Sequence, residues 1–220
     1  ENGKYKTILE INEEELSRLI TAITLQRSDS GKTEDLVGNI YLVNFFNKLE
    51  DAREISAMIN ACSRNGESST AVSFCLQNKK AKDRVEKIHT INKQNIVKAL
   101  NMIPELDKIE NKNYLIINAQ NKIKDTIIGT IASIISNSRE YPEGKAIIGM
   151  AYNQDKIKVS ARMVGKSGKN IREVLNAVIE IIGGEVGGHP MAAGCLIEKQ
   201  KEGEFILELK KKLEIEMIKF

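Results

Sequence analysis

Hydrophobic and polar residues in the second half of the chain follow two alternating periods, which predict strands and helices in turn. Short apolar or alternating runs predict strands over Tyr114–Asn118, residues 146–152, Lys156–Met163 and residues 193–197. Apolar residues three and four positions apart predict helices over Asp125–Ser136 and residues 170–182, and a last helix that carries Phe205, Leu209 and Leu213. Strands that alternate with helices indicate an α/β fold with one mixed sheet flanked by helices.

The first half of the chain predicts a partial helical and strand segment followed by one long helix. Its shorter elements are predicted as a helix after Asn12, a loop at residues 28–32, an extended segment at 40–45, a helix through Ile55 and Cys62 that closes at Gly66, and a strand at 70–76. Residues 78–103 keep helical spacing with no breaker before Pro104, so we predict a long, mostly solvated helix that connects two bodies. His89 is expected at its surface.

The predicted strand Lys156–Met163 has a polar face. Its apolar residues alternate with polar ones, the pattern of a half-buried strand. Because side chains two positions apart share a face, Ser160 and Arg162 should lie side by side there.

Charge and cysteine content narrow the possible environment. The 33 Lys and Arg against 30 Asp and Glu leave a net charge of only +3, so any anion site must be local. Three cysteines without a C-x-x-C pair argue against a disulfide framework or zinc site and for a reducing compartment; Cys75 and Cys195 should pack as small hydrophobes. No apolar run approaches the ~20 residues that span a bilayer, so we expect a cytoplasmic protein without membrane contact. We see no signal peptide at Glu1 and expect a piece of a longer chain.

The glycine-rich stretch at residues 183–194 is the most informative motif. Its glycines allow sharp turns and close approach of backbone amides to a ligand such as phosphate, and His189 could donate to an oxyanion. The alternative is that Gly183 and Gly184 only terminate a helix and that His189 is a surface residue.

A second glycine motif at residues 164–171 is similar to the Gly-x-x-Gly loop of KH domains. A KH loop links two helices, whereas a strand is predicted before this one, so the KH fold is disfavoured. Lys166 and Lys169 could still bind a phosphate at the following helix N-terminus; the alternative is a solvated lysine-rich turn.

Several motifs in order resemble the DHH-associated C-terminal domain of RecJ-like exonucleases and other DHH phosphoesterases, with the archaeal RecJ-like pattern the most similar. The resemblance rests on Gly187-Gly188-His189 followed by Ala192-Ala193-Gly194, on Gly129–Ala132, on Lys158–Arg162, on Asn170 with Val174-Leu175, and on Asn60-Ala61-Cys62-Ser63-Arg64. It covers roughly residues 34–209, and departs from the family pattern at Ser63, Val186 and Pro190.

This resemblance implies a division into domains and a substrate. Residues 1–77 would be a remnant of the catalytic DHH domain, 78–103 the connecting helix, and 104–220 the substrate-binding domain. The phosphates of single-stranded DNA or RNA would be held by Gly187, Gly188, His189, Arg162, Ser160, Lys166, Asn60 and Arg64. Because no Asp-His-His motif or Asp-x-Asp pair occurs, the implied Mn²⁺ or Mg²⁺ would lie on an N-terminal DHH domain of the same protein, and this chain alone would bind no metal and cleave nothing.

Two other functions remain open. The first is a non-catalytic RecJ-like replisome scaffold, with partners such as the GINS complex. The second is another DHH-family phosphoesterase, acting on oligoribonucleotides or aminoacyl-tRNA.

Overall fold

The computed structural model describes residue 6, residues 10–26 and residues 38–215. The chain divides into two compact units, Glu1–Ser56 and Ala57–Phe220. The predicted loop at residues 28–32 lies outside the described residues.

The first unit contains a capped helix and a hairpin. Helix α1 (Glu13–Gln26) begins with a capping box, in which the Asn12 amide donates to Glu15 Oε2 at 3.0 Å and the Glu15 amide donates to Asn12 Oδ1 at 2.9 Å. Strands β1 (Leu42–Phe45) and β2 (Lys48–Asp51) pair antiparallel, and helix α2 (Ala52–Arg64) follows. The predicted helices and the extended segment of this region are confirmed.

The second unit contains the end of α2 and all later elements. They are α3 (Ser68–Cys75), α4 (Lys79–Met102), β3 (Asp107–Glu110), β4 (Tyr114–Asn118), α5 (Asp125–Ser136), β5 (Ala146–Asn153), β6 (Lys156–Met163), α6 (Ile171–Ile182), β7 (Glu185–His189), β8 (Ala192–Glu198) and α7 (Glu202–Glu214). The long helix predicted over residues 78–103 is therefore α4, whose N-cap Asn78 accepts from the Lys80 amide.

The strand predicted at residues 70–76 is wrong, because this segment is helix α3. Ala71 and Phe74 are buried three positions apart, whereas Val72 is 60% exposed. Alternation would have buried Val72 together with Phe74, so the packing follows the helical period.

The strands of the second unit form one mixed sheet in the order β3-β4-β5-β6-β8-β7. Strands β4 and β5 pair in parallel, and the other neighbours pair antiparallel. The predicted α/β fold with a mixed sheet flanked by helices is confirmed.

Helices cover both faces of this sheet. One face packs on α6 and α7, with Ile148, Val159 and Phe205 fully buried in a single core. The opposite face packs on α5 and the end of α4 through a second core that includes Ile128 and Ile147. Gly149 lets α5 lie close to β5, because a Cβ at this position would sit 2.8 Å from Ile128 Cγ1.

Candidate functional site

A cleft of about 390 Å³ lies where α5 meets strand β6 and the end of α2. Its lining residues are cationic, hydroxyl-bearing or glycine: Ser63, Arg64, Thr126, Gly129, Thr130, Lys158, Ser160 and Arg162. Ser160 and Arg162 share this side of β6, as the alternation of the strand predicts. Ser160 is only 6% exposed, so the polar face of β6 forms the floor of a cleft.

Gly129 gives the cleft its depth. A Cβ on this residue would lie 3.1 Å from Ser160 Oγ and 3.8 Å from Arg162 Nη2. Contacts at 3.1 Å are tighter than almost all real Cβ contacts, so the missing side chain lets α5 approach β6 while these two polar groups stay between them.

The cleft is positively charged. Of the described residues that line it, three carry a cation and none carries a carboxylate. The Arg64 guanidinium donates to the Thr130 hydroxyl oxygen, which holds it over α5. The Arg162 Nη1 donates to the Ala161 carbonyl at 2.8 Å and, more weakly, to the Ala193 carbonyl at 3.5 Å.

Arg162 has an unfavourable environment for its charge. Burial, and next the neighbouring positive charge of Arg64, lower the pKa of the Arg162 guanidinium from its ordinary value. Two guanidinium groups that line one cleft without an ion pair to any described carboxylate favour the binding of an anion.

A shallower groove of about 380 Å³ continues from this cleft across β8 and β7. Lys158 and Ser160 line both. Ser160 on β6 pairs with Gly194 on β8, and Gly194 pairs with Gly187 on β7. Because both partners are glycines, the middle of the groove is bare backbone on β8 and β7.

His189 stands at the far side of the same face. Arg162 pairs with Ala192, and Ala192 pairs with His189. Directly paired residues share a face, and two strand spacings separate Arg162 from His189 by about 10 Å. The imidazole is exposed at the end of the β7–β8 hairpin.

The glycines of residues 183–194 suggest sharp turns, but residues 185–189 form the edge strand β7. Gly188 has φ +126°, and a Cβ there would lie 2.5 Å from the Ala192 carbonyl oxygen, so the edge strand requires glycine at this position. At Gly187 no described atom lies within 4 Å of the point that a Cβ would occupy, and that space belongs to the groove.

Lys166 lies away from the cleft. Its amide and that of Ser167 donate to Glu143 Oε1 at 3.1 and 3.2 Å, and these bonds lower the pKa of the Glu143 carboxyl. The Lys169 ammonium donates to the carbonyls of Lys212 and Leu213 at the end of α7. The loop follows β6 and precedes α6, so the KH fold is excluded.

The comparisons with known proteins agree with this fold. Residues 111–214 match the sequence family of the DHHA1 domain. This part of the chain is a DHHA1 domain. The DHH-associated domain predicted from the motifs is thereby confirmed.

Relatives and solved structures extend the likeness beyond the DHHA1 domain. An uncharacterized protein of Methanocaldococcus jannaschii is 30% identical over 201 residues, which are 90% of this chain and 42% of the relative, so the chain spans less than half of that protein. RecJ from Thermus thermophilus in complex with Mg²⁺ superposes with a TM-score of 0.56 at 20% identity, over 88% of this chain and 27% of RecJ. CDC45 from Entamoeba histolytica gives a TM-score of 0.52 at 11% identity, over 78% of this chain and 39% of CDC45. These structures share the fold.

The DHHA1 domain supplies most of the cleft, and α2 supplies the rest. Ser63 and Arg64 come from α2, outside the matched residues. Asn60 is exposed one turn before Arg64 on the same side of α2, but the cleft lining does not include it.

The motifs alone did not single out Thr126, Thr130 or Lys158 as site residues. Lys158 shares the alternation of β6 with Ser160 and Arg162, which is the signal that could have found it. Thr126 and Thr130 stand four apart on α5 on either side of Gly129, so they share a helix face.

The Mn²⁺ or Mg²⁺ expected of the family does not fit the described residues of this chain. Among them, no group of three or more His, Cys, Asp or Glu side chains is placed to hold a metal ion. The cleft is itself lined by cations, which repel a divalent metal. None of the helices in the described ranges is long and apolar enough to cross a bilayer.

Proposed function

We propose that the cleft between α5 and β6 binds phosphate groups of single-stranded DNA or RNA, as the substrate-binding part of a RecJ-like DHH-family exonuclease. The observation that carries this proposal is a cleft with three cations and four hydroxyl groups whose described lining has no carboxylate. The DHHA1 match supports a DHH-family function.

The chemistry of the lining favours phosphate over a simple monovalent anion. Guanidinium groups bind two phosphate oxygens at once in a fork, and charge-assisted hydrogen bonds of this kind are about twice as strong as neutral ones. Arg64 is already oriented by Thr130, and Ser160 and Lys158 stand beside Arg162 on β6. A phosphate carries the charge that relieves the repulsion between the two arginines.

The shape of the surface favours a single strand. The cleft opens into the groove over Gly194 and Gly187, where a chain can leave the arginines along the sheet face towards His189. With aromatic residues at only 5%, binding depends mainly on the backbone phosphates, so it should be sensitive to salt.

Hydrolysis in this proposal belongs to the whole protein. A DHH domain of the same protein would hold Mn²⁺ or Mg²⁺, which would supply the activated water when bound. The residues of this chain bind and orient the phosphates: Arg64 and Arg162 hold charge, and Ser160, His189 and the exposed backbone of Gly187 and Gly188 offer hydrogen bonds.

The test compares two arginine variants of the 220-residue chain. A labelled 5′-phosphorylated oligothymidylate is titrated at fixed ionic strength, and its fluorescence anisotropy gives the Kd. Arg162→Gln removes hydrogen bonds to a charged partner, worth about 1.5–3 kcal/mol, so the Kd should rise about tenfold to a hundredfold. Arg172→Gln on α6 is the matched control, since Arg172 is exposed and α6 packs on the opposite sheet face. Equal Kd values for the two variants would refute the proposal.

The scaffold alternative finds support in the fold shared with CDC45. A scaffold has no need of an uncompensated cationic cleft, so we favour the nucleic-acid function. Binding of purified GINS-type proteins by the chain, together with no affinity for any oligonucleotide, would favour the scaffold instead.

A further inference from the structure

A second positively charged groove lies on the other side of the first turn of α5. It has a volume of about 150 Å³ and runs between α5, the end of α4 and the loop after β4. Its lining residues form a lysine rim and a largely apolar floor: Asn95, Lys98, Ala99, Met102, Lys122, Ile123, Lys124 and Ile127.

The charge of this groove is uncompensated. Three lysines line it and no carboxylate does, among the residues that the structure describes. Such a cluster stands out in a chain with nearly equal numbers of positive and negative residues. Asp125, the nearest acid in sequence, accepts a hydrogen bond from Asn153 Nδ2 at 3.0 Å.

Core packing and backbone hydrogen bonds fix the walls of this groove. Ala99, Ile123 and Ile127 belong to the core beneath α5. The Lys122 amide donates to the Ala119 carbonyl at 2.8 Å, and the Lys124 carbonyl accepts from the Ile127 amide at 3.1 Å. The backbone that carries two of the lysines is therefore fixed, and only their side chains need to be ordered by a ligand.

The two cationic clefts flank the same helical turn. Thr126 lines the first cleft, while its neighbours Lys124 and Ile127 line the second. A helix with its side chains is about 10–12 Å across, so a strand that leaves the first cleft past Thr126 has only about this distance to cover to reach the lysines. This continuity favours a single polyanionic chain over an acidic peptide that binds the lysines alone.

We propose that a single strand held by Arg64 and Arg162, one end of which follows the groove towards His189, passes at its other end over the first turn of α5 and places a further phosphate among Lys98, Lys122 and Lys124. This inference rests on the function proposed above. It predicts that the lysines contribute to the affinity for long strands and not for short ones.

The test uses the triple variant Lys98→Gln, Lys122→Gln, Lys124→Gln of the 220-residue chain and two probes, a phosphorylated thymidine dinucleotide and a twelve-residue oligothymidylate. The Kd for the long probe should rise about tenfold, and the slope of log K against log[salt] should become shallower by about 0.7, since each phosphate neutralised on a single strand contributes about that much. The Kd for the dinucleotide should stay unchanged. The control variant Lys79→Gln, Lys80→Gln, Lys87→Gln removes the same charge from exposed positions in the first half of α4.

The outcomes separate this inference from the function on which it rests. If Arg162→Gln weakens the binding of both probes and the lysine variant binds both with an unchanged Kd, the proposed contact with the lysines is wrong. The phosphate site in the first cleft is then retained. An unchanged Kd in Arg162→Gln overturns the proposed function itself. Lysine-dependent binding of polyglutamate, with an unchanged Kd for the long oligonucleotide, overturns the inference in favour of an acidic protein partner. Circular dichroism checks that each variant is folded.

Discussion

Replacing Gly188 by alanine tests whether the glycine-rich segment is a strand with a fixed geometry. Gly188 has φ +126°, and its new Cβ would lie 2.5 Å from both the Ala192 carbonyl oxygen and the Ala193 Cα. Strained backbone at such a φ costs about 1–3 kcal/mol, and the contact with β8 adds to it, so we expect a loss of about 2–4 kcal/mol in the free energy of unfolding. In a chain of this size, that loss lowers Tm by roughly 4–16 °C.

The matched variant is Gly187→Ala. No described atom lies within 4 Å of its Cβ position, and its φ lies outside the left-handed region, so stability should stay the same or rise by up to about 1 kcal/mol. Thermal and urea unfolding followed by circular dichroism measure both variants. Equal, small effects at the two positions would mean that the segment is a pliable loop, and the assignment of β7 as a paired edge strand would fail.

Two further predictions concern single side chains. Burial raises the pKa of Cys195 to about 12 and also raises that of Cys62, whereas Cys75 is exposed. In the native protein one thiol should therefore react rapidly with Ellman's reagent, and after unfolding all three should react. Three native thiols that react equally fast would contradict the packing. The pKa of Glu143 is lowered in the folded protein by the amides of Lys166 and Ser167, so it stabilises the fold above its unfolded pKa of about 4.3 and this stabilisation is lost as pH falls through the folded value. The Tm of Glu143→Gln should therefore lie below that of the unaltered protein at pH 7 and approach it as the pH is lowered through the acid range, and a difference that does not depend on pH would refute the role of the ionised carboxylate.

Elements with an unambiguous period could be predicted from the sequence almost to the residue. The strand Lys156–Met163 and the helix Asp125–Ser136 have their predicted bounds, because their apolar residues follow a single period over several repeats. The segment 70–76 was predicted wrongly because a short apolar run fits either period, and only its tertiary contacts select the helix.

Three other predictions were wrong, each for a physical reason. The glycines of residues 185–189 suggest a turn, yet backbone pairing with β8 makes a strand from a segment with low strand propensity. His89, expected at the surface, is 8% exposed, since it lies on the buried stripe of α4 between Val85 and Asn92. Cys75 was expected to be packed and is exposed at the end of α3, while Cys195 is buried as predicted.

The candidate site could be predicted only in part. The alternation of β6 places Ser160 and Arg162 together, but the approach of Arg64 to Thr130 joins residues 66 positions apart. The hydrophobic period of a segment reports only on neighbours within a few residues, so it cannot reveal this contact. Only the resemblance of residues 60–64 to a known motif suggested that Arg64 belongs to the site. Whether Asn60, Lys166 or His189 contacts a phosphate stays a prediction.

The most direct test of the central claim is to observe the arginines during binding. In the 220-residue chain labelled with ¹⁵N, the side-chain Nε–H resonances of Arg64, Arg162 and Arg172 are assigned by substitution and followed while a single-stranded oligonucleotide is added. We predict that the resonances of Arg64 and Arg162 shift along one binding curve and that the Arg172 resonance does not move. Binding that leaves the Arg64 and Arg162 resonances in place would contradict the assignment of the cleft as the phosphate site.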